Sequence, residues 1–260
     1  MSGVRFFEMS FCDIARAEAS VTPSNNPAEA DSLVNRDPDW VWESIGSDDT
    51  DTVTIAIDFG APRAFDALIL TECNLRGFAL AYLGGGGVWT TILIEADNTD
   101  ATVFRQFAEI TAQQTRLTMT TTQTPDAQKT IRDLIITRQI GQLIGYPSVK
   151  IADAEKPTKK DMLSGKSRYV LDPPRAEIAI AFKDHVGAAD RDLVDVLRRW
   201  REEFLVWPCG GDQTPFAHAD KGWRMEDIFL VTRDKGMTHE FTKNLYFSGM
   251  TGVLDLVEVA

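Results

Sequence analysis

Val53-Thr54-Ile55-Ala56-Ile57-Asp58-Phe59-Gly60 alternates apolar and polar side chains up to its closing glycine. That period of two marks a strand buried on one face, and Gly60 with Pro62 breaks it. Outward from this stretch the rhythm recurs. Short β-rich segments lie around 68–70, 78–83, 89–96, 103–110, 116–121 and 131–137, separated by turn residues. Such spacing is expected of a β-sandwich. The glycine run 84–87 has neither a helical pattern nor Gly-Lys-Ser/Thr after it, so it reads as a hairpin loop and not as a phosphate cradle. Ahead of the strands, 21–39 is rich in Pro, Asn, Asp and Ala and reads as a long ordered loop or a crossover across the sandwich mouth, not as a strand.

A chain of 260 residues with 43% hydrophobic content has room for one large β domain or two ordinary ones. The formal charge of -12 repels phosphate backbones and anionic lipid, so neither nucleic acid nor a membrane surface is an expected partner. No apolar run has the length of a membrane span. Met1–Ser10 mixes Arg5 and Glu8 with Phe6 and Phe7 where a signal peptide would carry an apolar core, so synthesis and folding in a cytosol are expected. The acidity is lopsided: residues 1–140 hold 20 acidic and 10 basic residues, and residues 141–260 hold 19 and 17, giving -10 and -2.

Near Gly141 the character of the sequence changes, and 150–166 is polar and lysine-rich. This predicts a domain join, with one domain over 1–140 and a second over 141–260. The second half carries one helical pattern, expected over 190–204, in which Leu193, Val196, Leu197, Trp200 and Phe204 recur at spacings of three and four. Asp190 suits its N-cap and Asp192 its first turn. Strand patterns surround it, at Ile178, Ile180 and Phe182, and at 204–207, 228–232, 240–247 and 253–259. The expected class is mostly β: a sandwich, then a second β domain with one α-helix across its sheet.

Nothing in the sequence assembles a catalytic set, and no enzyme activity, cofactor or metal is expected. His185, His218 and His239 stand in no metal-binding spacing. Cys12, Cys73 and Cys209 are far apart and read as packed, reduced thiols. Cys209, in a Gly turn ahead of His218, is better explained as a turn than as a nucleophile. The acidic groups Asp48, Asp49 and Asp51, and Asp97 and Asp100, lack EF-hand spacing and read as solvated turn tips, with structural calcium as the rival reading. Trp40, Trp42 and Tyr82 are candidates for a sugar-stacking platform; packing against the rim of the β domain is the plainer role for the two tryptophans.

The succession Trp40-Val41-Trp42-Glu43-Ser44, an acidic turn, 53–60, Leu68-Ile69-Leu70 and Cys73-Asn74-Leu75 resembles the opening of discoidin-like, galactose-binding-type jelly rolls. The resemblance covers about 20–140. It implies an N-terminal jelly-roll β-sandwich and, as ligand-binding candidates, Trp40, Trp42, Asn74 and Arg76. The second half, through Gly145-Tyr146-Pro147, Glu203–Asp212, Arg224–Val231 and the closing strand at 254–259, resembles a β domain of bacteriophage tail-tip proteins of the distal-tail and baseplate type. That resemblance implies a structural subunit of a long-tailed phage tail tip. Residues 141–260 would form a ring, expected as a hexamer, around the tail lumen, linking tail tube to tail hub proteins in the virion tail. Here the jelly-roll-like half comes first, whereas the distal tail protein leads with its ring-forming domain. The alternative implied is a carbohydrate-binding protein that recognises a host glycan.

Overall fold

The computed structural model describes residues 3–13, 19–35, 40–144, 148–154, 157–161, 167–171, 175–185, 188–200, 202–208, 228–233, 238–243 and 248–259. Two compact units emerge: Glu8–Gln139, and Met1–Phe7 together with Ile140–Ala260. Both are built mainly of strands, as expected. The division differs from the expected 1–140 and 141–260, because strand β1 (Gly3–Glu8) lies in the sheet of the second unit.

In the unit 8–139, β2 (Ser20–Pro23), β3 (Trp42–Glu43), β4 (Val53–Thr71), β5 (Leu75–Leu83), β6 (Trp89–Glu95), β7 (Val103–Thr122), β8 (Thr130–Ile131) and β9 (Asp133–Thr137) follow one another. The main sheet has the order β2-β4-β7-β5-β6, with β9 on β4, and β3 pairs with β8 apart from it. Segments that read as separate strands are continuous: β4 and β7 run for 19 and 20 residues and pair antiparallel.

That ribbon is folded over. Its register runs from Val53↔Met119 to Asp58↔Gln114, shifts, and resumes from Arg63↔Ala112 to Leu70↔Val103. A β-bulge bends a strand, and Gly60 sits beside this one at φ 71, where only glycine is unstrained. Four residues after Thr71 the chain reaches Leu75, which pairs with Thr122, beyond the Val53 end of the ribbon. Both ends of the ribbon therefore meet at one end of the unit. Between its halves Ile55, Ile57, Phe59, Phe65, Leu68 and Leu70 form one core, with Phe11, Phe59, Phe65 and Phe107 in successive edge contacts at 6.1, 5.7 and 6.0 Å. The glycine run 84–87 is the expected hairpin loop: Gly87 N donates to Gly84 O at 2.9 Å between β5 and β6. The described part of 21–39, expected to be loop and not strand, carries regular structure. β2 pairs its residues Ser20–Pro23 with β4, and Pro27–Leu33 forms a 3-10 segment.

The second unit adds β10 (Gln139–Ile144), β11 (Ser148–Ala154), β12 (Pro157–Asp161), β13 (Ser167–Leu171), β14 (Arg175–His185), β15 (Phe204–Trp207), β16 (Phe229–Arg233), β17 (Thr238–Lys243) and β18 (Ser248–Glu258). Its sheet order is β10-β1-β15-β16-β18-β14-β11, with β17 on β18, while β12 and β13 pair with each other. Of the polar stretch 150–166, expected to be the domain join, the described residues 150–154 and 157–161 belong to the paired strands β11 and β12. The chain passes from one unit to the other at Phe7/Glu8 and at Gln139/Ile140. Since β1 and β10 are neighbours in the sheet and Glu8 N donates to Arg138 O at 2.9 Å, the unit 8–139 is inserted between two adjacent strands of the other, split unit.

One helix of the split unit is described, α1 (Ala188–Arg199), shorter than the expected 190–204. It begins two residues before Asp190, so that residue is not the cap, and it ends before Phe204, which starts β15. Leu193, Val194 and Leu197 are buried and Trp200 is partly buried against the same core, whereas Val196 is 43% exposed. At 100° per residue, Leu193, Leu197 and Val194 span one arc and Val196 falls outside it.

Where β10 faces α1, a Cβ on Gly141 would lie 2.6 Å from Leu193 Cδ1. Gly141→Val is therefore expected to destabilise the split unit by about 1–3 kcal/mol through overpacking. A denaturant titration measures this, and Gly141→Val/Leu193→Ala should recover part of the loss. A fully stable single variant would show that the helix can move away at no cost.

Candidate functional site

The end of the inserted unit where the folded ribbon closes carries the loops around Asn25 and Asn26, 40–52, 72–74, 97–102 and 123–129. Hydrogen bonds knit these loops together. Ser44 N donates to Lys129 O at 2.9 Å and Lys129 N to Ser44 Oγ at 2.8 Å. Asn25 holds Ile45 through both its backbone groups, accepting from its N–H at 2.9 Å and donating to its carbonyl at 3.1 Å. Asn26 donates to Glu43 O at 2.9 Å. Further round, Asn74 Nδ2 donates to Gln128 O at 2.6 Å while Asn74 Oδ1 accepts from Thr130 N at 2.9 Å. Asn98 Nδ2 donates to the carbonyls of Leu75 and Asp100.

The acidic turn is built around a lysine. Lys129 is fully buried, and its ammonium donates to Asp48 O at 2.7 Å. Burial lowers its pKa, while Asp49, Asp51 and Asp48 push in the opposite direction. Asp49 accepts from the Thr122 hydroxyl at 3.0 Å and also from its N–H. The Thr50 hydroxyl and N–H, both 2.7 Å from Asp48 Oδ1, hold the Asp48 carboxyl below the usual range, and Thr50's side chain contributes most. Among the described residues no group of three or more His, Cys, Asp or Glu is placed to hold a metal ion.

On this braced frame the candidates separate. Trp42 is fully buried in the core beneath the loops, with its Nε1 donating to Asn26 O at 3.3 Å and its backbone paired to Ile131. It has no face to offer a ligand. Asn74 spends its side chain on the two loop contacts above, and Arg76 is paired with Asp97 at 2.8 Å. Tyr82 lies far along β5 from the Leu75 end, partly buried against the core, and is not brought to Trp40. Trp40 is 54% exposed, and Val41 and Ile45, which the sequence did not single out, are 43% and 64% exposed beside it in the chain. Of the remaining expectations, Cys209, His218 and Gly145-Tyr146-Pro147 lie outside the described residues.

Cys12 and Cys73 are buried thiols, as expected. Desolvation pushes Cys73 up to about 11. Stability gained from keeping that thiol protonated is present below its ordinary value near 9 and is lost as pH rises towards about 11. In a Cys209→Ser protein at pH 8, a thiol reagent is expected to modify neither cysteine until denaturant is added. Rapid modification of the native protein would place one of them at the surface.

No family model matches this sequence, and no curated protein does. Solved structures similar to it include chitosan-binding module 1 of a chitosanase/glucanase from Paenibacillus sp. IK-5, at 15% identity and TM-score 0.42, covering 50% of this chain and 98% of that one. CpGH89CBM32-6 from Clostridium perfringens matches at 15% and 0.41, covering 50% and 99%. A Ruminococcus gnavus GH29 fucosidase in complex with fucose matches at 22% and 0.40, covering 48% of this chain and 26% of that one. Likenesses this distant do not bear on what this chain binds.

Proposed function

We propose that this protein works by binding and not by catalysis, and that its inserted unit takes a glycan on the loop end centred on Trp40. The observation that carries this reading is the exposure of Trp40 and Val41 just before β3 and of Ile45 just after it, next to a segment held at Glu43 by Asn26, at Ser44 by Lys129 and at Ile45 by Asn25. An indole offers a sugar ring a broad apolar face together with a donor at its edge. The clamped backbone lowers the ordering cost of binding. Trp40→Ala is expected to weaken glycan binding about tenfold or more, as loss of an aromatic anchor does, while leaving stability within about 0.5 kcal/mol. A glycan array with a melting curve for both proteins tests this; equal binding by the variant would remove Trp40 from the site.

A second reading, a subunit of a phage tail-tip ring that links tube to hub, has one structural feature in its favour. The sheet of the split unit ends on β10 and β11, whose outer edges are unpaired among the described residues. A neighbouring copy can continue such an edge. Native mass spectrometry of the full chain tests it: a closed ring, expected as a hexamer, supports the reading, and a monomer at all concentrations removes it.

A further inference from the structure

We infer that β6, the outer strand of the inserted unit's main sheet, is a pairing edge for the same strand of a second copy of this chain, the two running antiparallel about a two-fold axis. β6 (Trp89–Glu95) ends the order β2-β4-β7-β5-β6, and among the described residues no strand pairs with its outer side. Its run Trp89-Thr90-Thr91-Ile92-Leu93-Ile94 consists of residues that favour strands. Val88 and Ile94, at its two ends, are 67% and 75% exposed, more than any other large apolar residue described. Edges of this kind are normally guarded by lysine, proline or a bulge. Here only the bulge is present, and a second copy matches it.

Two observations make the occupant a second copy and not a foreign strand. On β5, Leu83, Ala81 and Ala79 pair with Trp89, Thr91 and Ile94, while Tyr82 and Leu80 pair with Thr90 and Leu93, and the register shifts between Leu80 and Ala81. Residues two apart on a strand share a face. Trp89, Thr91 and Ile94 therefore lie on one face of β6 and Thr90 and Leu93 on the other, with Ile92 as the extra residue that puts the two halves out of step. A regular strand laid on this edge fits one half only, because a bulge disrupts the ladder. A second β6 carries the same step at the same place. Opposed residues of an antiparallel pair share a face, and the register that satisfies both halves and keeps Glu95 out of the paired segment sets Trp89 opposite Ile94 of the second copy, Thr90 opposite Leu93 and Thr91 opposite Ile92. The second observation is charge. A chain of net charge -12 repels its own copies, yet 77–94 holds no charged residue, and Glu95 just beyond is neutralised within its own chain by Arg105 at 2.6 Å. Arg116 lies over the Trp89 ring at 4.5 Å, which holds the indole on the face that Ile94 of the second copy joins.

One strand laid on another buries less than a standard interface, so the association is weak and depends on concentration. Sedimentation velocity of the whole Cys209→Ser chain, from about 1 µM to about 300 µM, should show monomer giving way to dimer. Ile94→Lys is expected to weaken dimerisation about tenfold or more, since each interface then sets two ammonium groups beside Trp89 and Arg116. At about 1 µM, where both proteins are monomeric, the melting temperature should not change, because the side chain replaced is exposed. The register brings the two Thr91 residues to one face within disulfide reach of each other. Thr91→Cys in the same background should therefore cross-link to its counterpart on oxidation, whereas Gly85→Cys, in the loop beyond the strand where a Cβ meets nothing within 4 Å, should not. A chain that stays monomeric throughout, or Thr91→Cys that cross-links no faster than Gly85→Cys, would overturn the inference. Self-association that Ile94→Lys leaves intact would overturn it as well, and would place the contact on another surface, such as the sheet edges of the split unit.

Discussion

Replacing Phe6 by alanine is expected to destabilise a sheet assembled almost wholly from residues beyond 139, and to leave the 132-residue unit between them intact. Phe6 is fully buried in the core of the split unit, beside Val4 and within 6.4 Å of the Phe204 ring. Truncating a buried phenylalanine costs about 3–5 kcal/mol, from lost transfer energy and the cavity left behind. Hydrogen exchange followed peptide by peptide separates the two units: β15, β16 and β18 should exchange faster in the variant, and β4 and β7 should be unaffected. Residues 141–260 alone, which lack β1 between β10 and β15, are expected not to reach the native fold, whereas residues 8–139 should melt cooperatively by themselves. A folded 141–260 fragment, or a Phe6→Ala protein with normal exchange in β15, would refute the shared sheet. Assembly through the split unit likewise requires the first seven residues, so a ring tested on a fragment starting at 141 would fail for a reason unrelated to the ring.

What could be read from the sequence follows the range of the signals. Alternation within 53–59 is local and declares a half-buried strand unaided. Nothing local announces that β4 continues past Pro62, since the ribbon is held together by pairing with β7 some 50 residues away, and tertiary pairing overrides the breakers. The placement of β1 was hidden for the same reason: six residues with Phe6 and Phe7 suit either unit, and only long-range pairing decides. Trp40 and Trp42, two apart, would share a face in a strand, which made them look like a pair. β3 covers only Trp42–Glu43, so the period lapses before Trp40, and one indole goes into the core while the other stays out. Lys129 gave no signal at all, because a lysine is almost never fully buried and its role exists only once 44–51 has folded over it. Asn74 and Arg76 lie at this loop end but are already held by Gln128, Thr130 and Asp97.

The same division between the two tryptophans sets up the sharpest contrast in the molecule. Trp42→Ala should cost about 3–5 kcal/mol, since the indole is fully buried and the surrounding strands can close only part of the cavity. Its loss also leaves the Asn26 carbonyl without its indole donor, and Asn26 is held at φ 48, a left-handed conformation that needs support from its neighbours. Because Asn26 in turn carries Glu43 and Asn25 carries Ile45, slack at Trp42 passes directly into the loop that presents Trp40. Binding should therefore fall together with stability in Trp42→Ala, although that residue touches no ligand, whereas in Trp40→Ala binding falls and stability stays. Trp42→Phe separates the two contributions: it keeps most of the buried volume and removes the donor, so stability should recover by more than half while binding recovers less. Denaturant titrations and glycan affinities on the three variants decide the matter. If Trp42→Ala loses stability but binds at full strength under native conditions, the frame beneath Trp40 is not what holds the platform in place, and the ligand orders that loop by its own contacts.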